Sequence, residues 1–292
     1  MTKKTLHLIL GILLLLVPLV QVLPASSVLA AGATTSVHIV KYGEDGVTVV
    51  AEKAVSYQWM EDNLPIRGDG TTHYYLQGPS FDPDNLWDPN ETVNLKDKGA
   101  VMGTSIKDLC DLVGGMDSGD EVMLLAVDNW TIKFKYANVS QPQERQGIIA
   151  LCWYNGEDAR DGERYGEGYP GNNGYRTALQ IVIMAKTTNA EGKHVFGNAD
   201  MQAVMPLEEG YSHFYQGSEG LWPSTNGLSG KWINRMVIYP SGTSPHIPDS
   251  ETSSKTPWIP IVLGSAGLLL VGLAVYFVIR KKDLPSPPTE GV

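Results

Sequence analysis

The clearest pattern of apolar and polar positions lies in the middle of the chain. Apolar residues recur there at the spacing of a helix that packs one face on a core: Ile106, Leu109, Cys110 and Val113. Thr104 or Ser105 precedes this stripe as a side-chain cap, and Gly114 and Gly115 follow it as a stop. The apolar run at residues 122–127 then predicts a strand covered on both faces. We expect this helix and this strand to share one core.

Short β-strands account for most of the remaining apolar pattern. Alternation at residues 36–42 and 47–51, on either side of a Gly-Glu-Asp-Gly turn, predicts a β-hairpin. Ser56 then precedes a short helix that ends before Pro65. Further apolar runs predict more strands, at residues 130–136, 147–154, 178–185 and 231–239. Many short strands with little helix indicate a β-rich α+β domain.

Residues 67–98 show neither the apolar spacing of a helix nor the alternation of a strand, and they are rich in turn-forming residues. They therefore predict a long irregular loop. Acidic and amide side chains concentrate in this loop, and Asp82, Asp84 and Asp88 are candidate oxygen ligands for calcium. The spacing lacks the glycine and the terminal glutamate of an EF-hand loop, and prolines interrupt it. The alternative is an acidic surface loop that its prolines make stiff.

Both ends of the chain predict membrane targeting. Two lysines, an apolar run and small residues make residues 1–30 a secretory signal peptide cleaved after Ala30, with an uncleaved anchor as the alternative. Residues 258–279 are uncharged over a length that spans a hydrocarbon core of about 30 Å. The basic residues that follow predict a cytoplasmic tail at 280–292. A Pro-, Ser- and Thr-rich stalk at 241–257 would join this single-pass cell-membrane anchor to an ectodomain outside the cell.

The net charge of −10 arises from 22 basic and 32 acidic residues. Five of the basic residues but only two of the acidic ones lie in the terminal segments, so the central region carries about −13. Such a surface repels phosphate backbones and anionic headgroups, which argues against a nucleic-acid partner. The partners we expect are the membrane, through the C-terminal helix, and a small molecule or another protein.

Polar side chains in aromatic, glycine-containing loops are the candidates for binding a ligand or cofactor: His73, His194, His213 and Asp200. Neutral imidazole is a common metal ligand, so convergence of these side chains would make a metal or haem site. No paired-histidine spacing typical of a metal motif supports that interpretation. The alternative is that each histidine forms hydrogen bonds within its own loop.

The two cysteines, Cys110 in the predicted helix and Cys152 in a predicted strand, are both expected to be buried. Outside the cell they can form a disulfide or remain as two buried thiols, and the sequence leaves both alternatives open. We do not expect a nucleophilic cysteine, because neither lies in a polar turn beside a base.

Five short motifs follow one another in an order known from one protein family. Residues 103–110 (GTSIKDLC) have the form of a turn and helix, and residues 128–130 (DNW) end the next strand. An apolar strand and turn at residues 149–156 (IALCWYNG), an apolar strand at 178–185 and a closing WINRM at 232–236 come after them. In this order and spacing the motifs resemble the molybdopterin-binding domain of the sulfite oxidase family.

The resemblance implies a sulfite-oxidase-like α+β fold over residues 95–240, preceded by an N-terminal portion at residues 31–94 that holds the hairpin, short helix and loop. The chain differs from the family at the positions where the family has its cofactor-binding residues. No cysteine occurs in residues 68–98, where the molybdenum-ligating cysteine is expected, and Val101 replaces an expected tryptophan. The arginines that hold the pterin phosphate also have no clear counterparts. Because the cysteine is missing, the resemblance assigns no residue of this chain as a thiolate ligand of molybdenum.

The chain is also similar to a group of membrane-anchored prokaryotic surface proteins that share the LPxxGDGxTHYY and HVFGNxDM runs, a similarity that implies no activity. Our leading hypothesis is an extracytoplasmic protein that binds a ligand or partner at the histidine-containing loops, without a demonstrable catalytic site. One alternative is an extracytoplasmic oxidoreductase that holds a pterin or a metal through histidine. Another is a calcium-binding envelope or structural protein.

Overall fold

Two mixed β-sheets organise the part of the chain that the computed structural model describes, residues 34–158, 168–170 and 178–245. These residues all belong to one compact unit, which ends at Pro245. The predicted signal peptide, the membrane-spanning segment, the tail and most of the stalk lie outside the described residues. Within the described residues, no helix combines the length and the apolar character needed to cross a membrane.

The first sheet has five strands in the order β2-β1-β13-β6-β7. They are β1 (Ser36–Tyr42), β2 (Val49–Ser56), β6 (Asp120–Ala126), β7 (Thr131–Lys135) and β13 (Ile233–Pro240). β1 and β13 run parallel, and the other neighbours in this sheet are antiparallel. The predicted N-terminal hairpin is confirmed, since β1 and β2 pair from Ser36 opposite Ser56 to Tyr42 opposite Val49.

The second sheet has the order β10-β4-β5-β8-β9, with a short β3 also paired to β5. Its strands are β3 (Ile66–Arg67), β4 (His73–Gln77), β5 (Leu95–Ser105), β8 (Ile148–Asn155), β9 (Gln180–Met184) and β10 (His194–Phe196). β10 and β4 are parallel, and the remaining pairs are antiparallel. A separate hairpin consists of β11 (Phe214–Gly217) and β12 (Gly220–Pro223).

The helices of the described region are short: α1 (Tyr57–Asn63), α2 (Ile106–Asp111), α3 (Tyr136–Ser140) and α4 (Asn198–Val204). Both predicted caps are present. The Oγ of Ser56 accepts from the backbone N–H of Trp59 at 3.2 Å, and the Oγ of Ser105 accepts from that of Asp108 at 3.0 Å. Each hydroxyl satisfies a backbone donor that has no partner inside the first turn.

The apolar stripe of α2 is buried in the main core, as the spacing predicts: Ile106, Leu109, Cys110 and Val113. The predicted glycine stop is also present. Gly115 has a φ of +77° and donates its N–H to the carbonyl of Cys110 at 2.9 Å, a helix end that glycine adopts without a Cβ clash. The predicted strands at 122–127, 130–136, 147–154, 178–185 and 231–239 correspond to β6, β7, β8, β9 and β13.

The β-rich α+β class is therefore confirmed, but the prediction of one irregular loop from residue 67 to residue 98 is wrong. That stretch contains β3, all of β4, a 3-10 turn at Pro83–Asn85 and the start of β5. The apolar pattern missed β4 because its buried end holds a polar residue, Gln77, whose amide donates to Asp88 and to the carbonyl of Val93. Strands β10, β11 and β12 and helix α4 were also not predicted.

Residues 31–94 and 95–240, which the sequence separates into two portions, share both sheets. β1 pairs with β13 in the first sheet, and β4 pairs with β5 and β10 in the second. These long-range pairings place the ends of β4, β5 and β8 next to one another.

Candidate functional site

The structure does not bring the four predicted ligand residues together. His73 begins β4 and His194 begins β10, and these paired strands set His194 opposite Tyr74. Successive side chains of a strand point to opposite faces of the sheet. His194 and Tyr74 contact each other on one face, with ring centroids 5.7 Å apart, whereas His73 stacks on Tyr75 on the other.

His194 is held within its own loop, as the alternative interpretation expected. Its Nδ1 donates to the carbonyl oxygen of Ala185 at 2.9 Å. His213 lies elsewhere, directly before β11, with its ring packed on the backbone of Gly227, where any larger residue would clash. Burial lowers the pKa of His213, and its Nδ1 has no hydrogen-bond partner within the described part of the chain.

Asp200 belongs to a third location, a buried carboxyl pair with Glu91. Asp200 lies in the first turn of α4, where it accepts from the N–H of Gly197 at 3.3 Å. Arg145 pairs with both acids, and its Nη2 lies 3.2 Å from the Oε1 of Glu91. The contacts among Glu91, Asp200 and Arg145 therefore connect the segment before β5 to α4.

The three aspartates predicted as calcium ligands have different environments. Asp88 is buried, and its Oδ2 accepts from the N–H groups of Thr92 and Val93 at 2.8 Å and from the amide of Gln77. Burial opposes ionisation of Asp88, but these hydrogen bonds outweigh it and lower the pKa. Asp82 and Asp84 are exposed, and the Oδ1 of Asp82 accepts from the N–H of Asp84 at 3.0 Å. The Asp88 carboxylate therefore stabilises the loop before β5 through hydrogen bonds within the protein.

A cluster with the composition of a metal site forms around His73. In the described residues, the side chains of His73, Asp97 and Glu157 are the group whose potential ligand atoms all lie within 4.8 Å of one another. His73 comes from β4, Asp97 from β5 and Glu157 from the 3-10 turn Gly156–Asp158 after β8. All three side chains remain partly exposed, by 33%, 41% and 43%, so a dissolved ion and a further ligand can reach them.

Local hydrogen bonds position the Asp97 carboxylate and the turn that carries Glu157. Gly99 has a φ of +88°, which glycine adopts without strain, and its N–H donates to the Oδ1 of Asp97 at 2.8 Å, which holds that carboxylate in place. Asn155, the last residue of β8, accepts from the N–H of Glu157 at 3.1 Å. The pairing of Asn155 with Val101 then places this turn beside β4 and β5.

The hydrogen bonds of His73 determine which ring nitrogen is available. Its Nδ1 lies 2.8 Å from the Oδ2 of Asp97, and because a carboxylate only accepts, the proton resides on Nδ1. Nε2 then has a free lone pair and lies 3.9 Å from the Oε1 of Glu157. Histidines that bind metals commonly donate their other ring N–H to a carboxylate in this way.

Tyr75 borders the cluster on the same face of β4. Burial, the charge of Asp97 and a hydrogen bond to Asp97 together raise the pKa of Tyr75. Lys193 lies with its ammonium 5.5 Å from the centre of the Tyr75 ring. These neighbours restrict the Asp97 carboxylate further.

Molybdopterin, which the family resemblance implies, does not fit the residues described. Cys110 and Cys152 are 1% and 2% exposed, and burial raises the pKa of both thiols, which disfavours the thiolate that would bind a metal. The pocket between β8, Gly168 and Ala178 has a volume of about 0 Å³ for a water-sized sphere, so it has no room for a pterin, since small-molecule sites begin at roughly 300 Å³.

Asp97 and Glu157 were not predicted as site residues. Neither stands out in the sequence, because Asp97 is flanked by lysines and Glu157 opens a charged, glycine-rich segment. The one available signal was His73 itself, a histidine in an aromatic segment next to turns.

The chain matches no protein-family model, no curated protein and no solved structure.

Proposed function

We propose that this chain is an extracytoplasmic binding protein that holds a divalent metal ion at the cluster of His73, Asp97 and Glu157. The ion would be bound by the Nε2 of His73 and by the carboxylate of Glu157, with Asp97 orienting the imidazole. The remaining coordination positions would be taken by water or by an oxygen atom of a ligand or partner protein.

The observation that carries this proposal is the 3.9 Å separation between the Nε2 of His73 and the Oε1 of Glu157. That distance is too long for a hydrogen bond, which spans about 2.7–3.2 Å. It suits two atoms on either side of one ion, because metal–nitrogen and metal–carboxylate bonds of about 2.0–2.2 Å place ligand atoms roughly 3–4 Å apart.

The mixed nitrogen and oxygen donors favour a transition metal or zinc over calcium. Calcium takes 6–8 oxygen ligands, whereas imidazole suits zinc, copper, nickel and iron. With one imidazole and one carboxylate as protein ligands, zinc is the simplest candidate and the best probe. A site with open positions also fits a protein that presents the ion to a ligand.

We further propose that a signal peptide at residues 1–30 and a membrane span at 258–279 place this domain outside the cell. The supporting observations are the uncharged length of the second segment and the Arg-Lys-Lys run that follows it. A sulfite-oxidase-like arrangement of residues 95–240 is a finer proposal about the fold. It is supported by the order of β5, α2 and β6 and by a hydrogen bond between Ile233 and Leu179 that links the last two motifs.

Titration calorimetry of Zn²⁺ into the purified full-length chain, and into His73→Ala and His194→Ala variants, tests the metal site. His194→Ala is the matched control, because that histidine lies on a paired strand but faces the other side of the sheet. We expect one zinc per chain in the wild type and the control, and at least about tenfold weaker binding by His73→Ala. Equal zinc affinity for the wild type and His73→Ala would disprove the proposal.

A further inference from the structure

Three asparagines of the chain stand in the sequence Asn-x-Ser/Thr, the acceptor pattern for N-linked glycosylation: Asn90, Asn129 and Asn138. The middle residue is not proline in any of them, as the pattern requires. A glycan on the side-chain amide is bulky and hydrophilic, so a modified asparagine lies at the surface of the folded protein. The environment of each side chain therefore decides whether the folded domain can carry a glycan there.

Asn90 lies in an accessible tight turn. The turn is closed by a hydrogen bond of 3.0 Å from the N–H of Glu91 to the carbonyl of Asp88, and Asn90 and Thr92 are both exposed. Neither the amide of Asn90 nor the hydroxyl of Thr92 has a hydrogen-bond partner among the described residues. Both side chains of this acceptor sequence are therefore available to a modifying enzyme.

Asn129 lies in a second accessible turn, between β6 and β7. Its N–H donates to the carbonyl of Ala126 at 3.1 Å, which closes the turn. Asn129 and Thr131 are exposed, and their side-chain polar groups likewise form no hydrogen bond within the part of the chain described. This hairpin turn therefore presents a second acceptor at the surface.

Asn138, in contrast, is part of the interior. It belongs to α3 and is only 5% exposed. Its Nδ2 donates to the Oε1 of Gln146 at 2.9 Å and to the carbonyl of Val204 at 3.0 Å. These two bonds use both hydrogens of the amide, and a glycan would replace one of them and need space inside the protein. A glycosylated Asn138 is therefore incompatible with this fold.

We propose that the mature protein carries N-linked glycans at Asn90 and Asn129 and none at Asn138. This rests on the proposed extracytoplasmic placement of the domain, because the modification belongs to secreted proteins. The donor is an oligosaccharide linked to a polyisoprenyl phosphate or pyrophosphate carrier. The Nδ2 of the asparagine forms a bond to the first sugar carbon, and the bond from that carbon to the carrier's phosphate oxygen breaks. One amide proton passes to the released phosphate.

Mass spectrometry of peptides from the full-length chain, produced in the cells that naturally make it, tests these two sites. Thr92→Ala and Thr131→Ala each remove one acceptor sequence but keep its asparagine. Keeping the residue matters at Asn129, because its φ of +69° is a conformation that asparagine tolerates better than most side chains. Ser140→Ala is the matched control, since it removes the acceptor sequence of Asn138. Thr92→Ser preserves the acceptor sequence and should preserve the glycan.

We expect glycan on the peptides that contain Asn90 and Asn129, loss of one glycan in each threonine-to-alanine variant, and no change in Ser140→Ala. An unmodified Asn90 or Asn129, or a glycan on Asn138, overturns the proposal. Protease added to intact cells shows separately whether the domain lies outside. If the protease digests an unglycosylated domain, the glycosylation alone is disproved. If that domain is protected, the extracytoplasmic placement is contradicted as well, and neither result bears on zinc binding by His73.

Discussion

The carboxyl groups of Glu91 and Asp200 lie together inside the protein, where both are buried and both pair with Arg145. Two like charges in one buried place repel each other, which favours a proton on one of the two carboxyl groups. Burial, the hydrogen bond with Asp200 and the charge of Asp200 raise the pKa of Glu91 to about 8, and Arg145 only partly opposes this. The protonated residue is therefore Glu91.

Folding stability should decrease as the pH rises from about 4.5 to about 8. In the unfolded chain Glu91 titrates near 4.5, so between these two values the folded state holds a proton that the unfolded state has lost. The stabilising contribution of the proton is complete below the lower value and is lost as the pH passes the upper one. Thermal melting of the wild type at pH 5, 7 and 8.5 measures the decrease.

The variant Glu91→Gln cannot ionise and should lose much less stability over the same pH range. Its amide keeps the shape of the protonated acid and can still donate to Asp200. Glu44→Gln, in an exposed turn, is the control and should follow the wild type. If wild type and Glu91→Gln melt with the same pH dependence, Glu91 is not the proton carrier.

Removing the Asp88 side chain should destabilise the protein by about 2–4 kcal/mol, because the N–H groups of Thr92 and Val93 and the amide of Gln77 would lose a charged acceptor. Urea denaturation of Asp88→Ala measures this loss. The exposed neighbour gives a matched control, since Asp84→Ala should change stability by no more than about 0.5 kcal/mol. Equal effects of the two substitutions would show that the hydrogen bonds accepted by Asp88 do not stabilise the fold.

Both cysteines should be thiols that react only after unfolding. Cys110 and Cys152 are unpaired in the structure, buried, and disfavoured as thiolates. An aromatic disulfide reagent should therefore modify neither in the native protein and both in guanidinium chloride, without prior reduction. Failure to detect thiols in the denatured, unreduced protein would instead indicate a disulfide.

Asp97→Asn should weaken zinc binding by about 10–100-fold, because it removes the carboxylate that fixes the proton on the Nδ1 of His73. The folded state should persist, since Asp97 is partly exposed and Asn can still accept from Gly99. Asp62→Asn, in an exposed part of α1, is a control for the loss of one negative charge. Unchanged zinc affinity in Asp97→Asn would mean that Asp97 does not orient the imidazole.

Local signals predicted those parts of the fold that local interactions determine. The stripe from Ile106 to Val113 and the cap at Ser105 specify α2 within a few residues of sequence, so periodicity and capping chemistry were sufficient. β4 was missed because its buried Gln77 breaks the apolar pattern. The hydrogen bonds that accommodate the Gln77 side chain are made with Asp88, Val93 and Asn198, all outside the strand. No local pattern contains that information.

The difference between local and long-range interactions also explains which residues of the candidate site were predicted from the sequence. His73 was named from the sequence, but its partners Asp97 and Glu157 depend on two strand pairings, β4 with β5 and β5 with β8. His194 was grouped with His73 by residue type, and the alternation of side chains along paired strands separates them. Burial of Asp200 next to Glu91 likewise arises from contacts between segments far apart in sequence.

Anomalous diffraction at the zinc absorption edge, from crystals of the protein grown with Zn²⁺, tests the proposed metal centre most directly. The expected result is a peak between the Nε2 of His73 and the carboxylate of Glu157, at about 2.0–2.2 Å from each ligand atom. Asp97 should still accept from Nδ1 on the far side of the imidazole. A peak at another site with none beside His73, or no peak at all, would contradict a metal-binding function for this cluster.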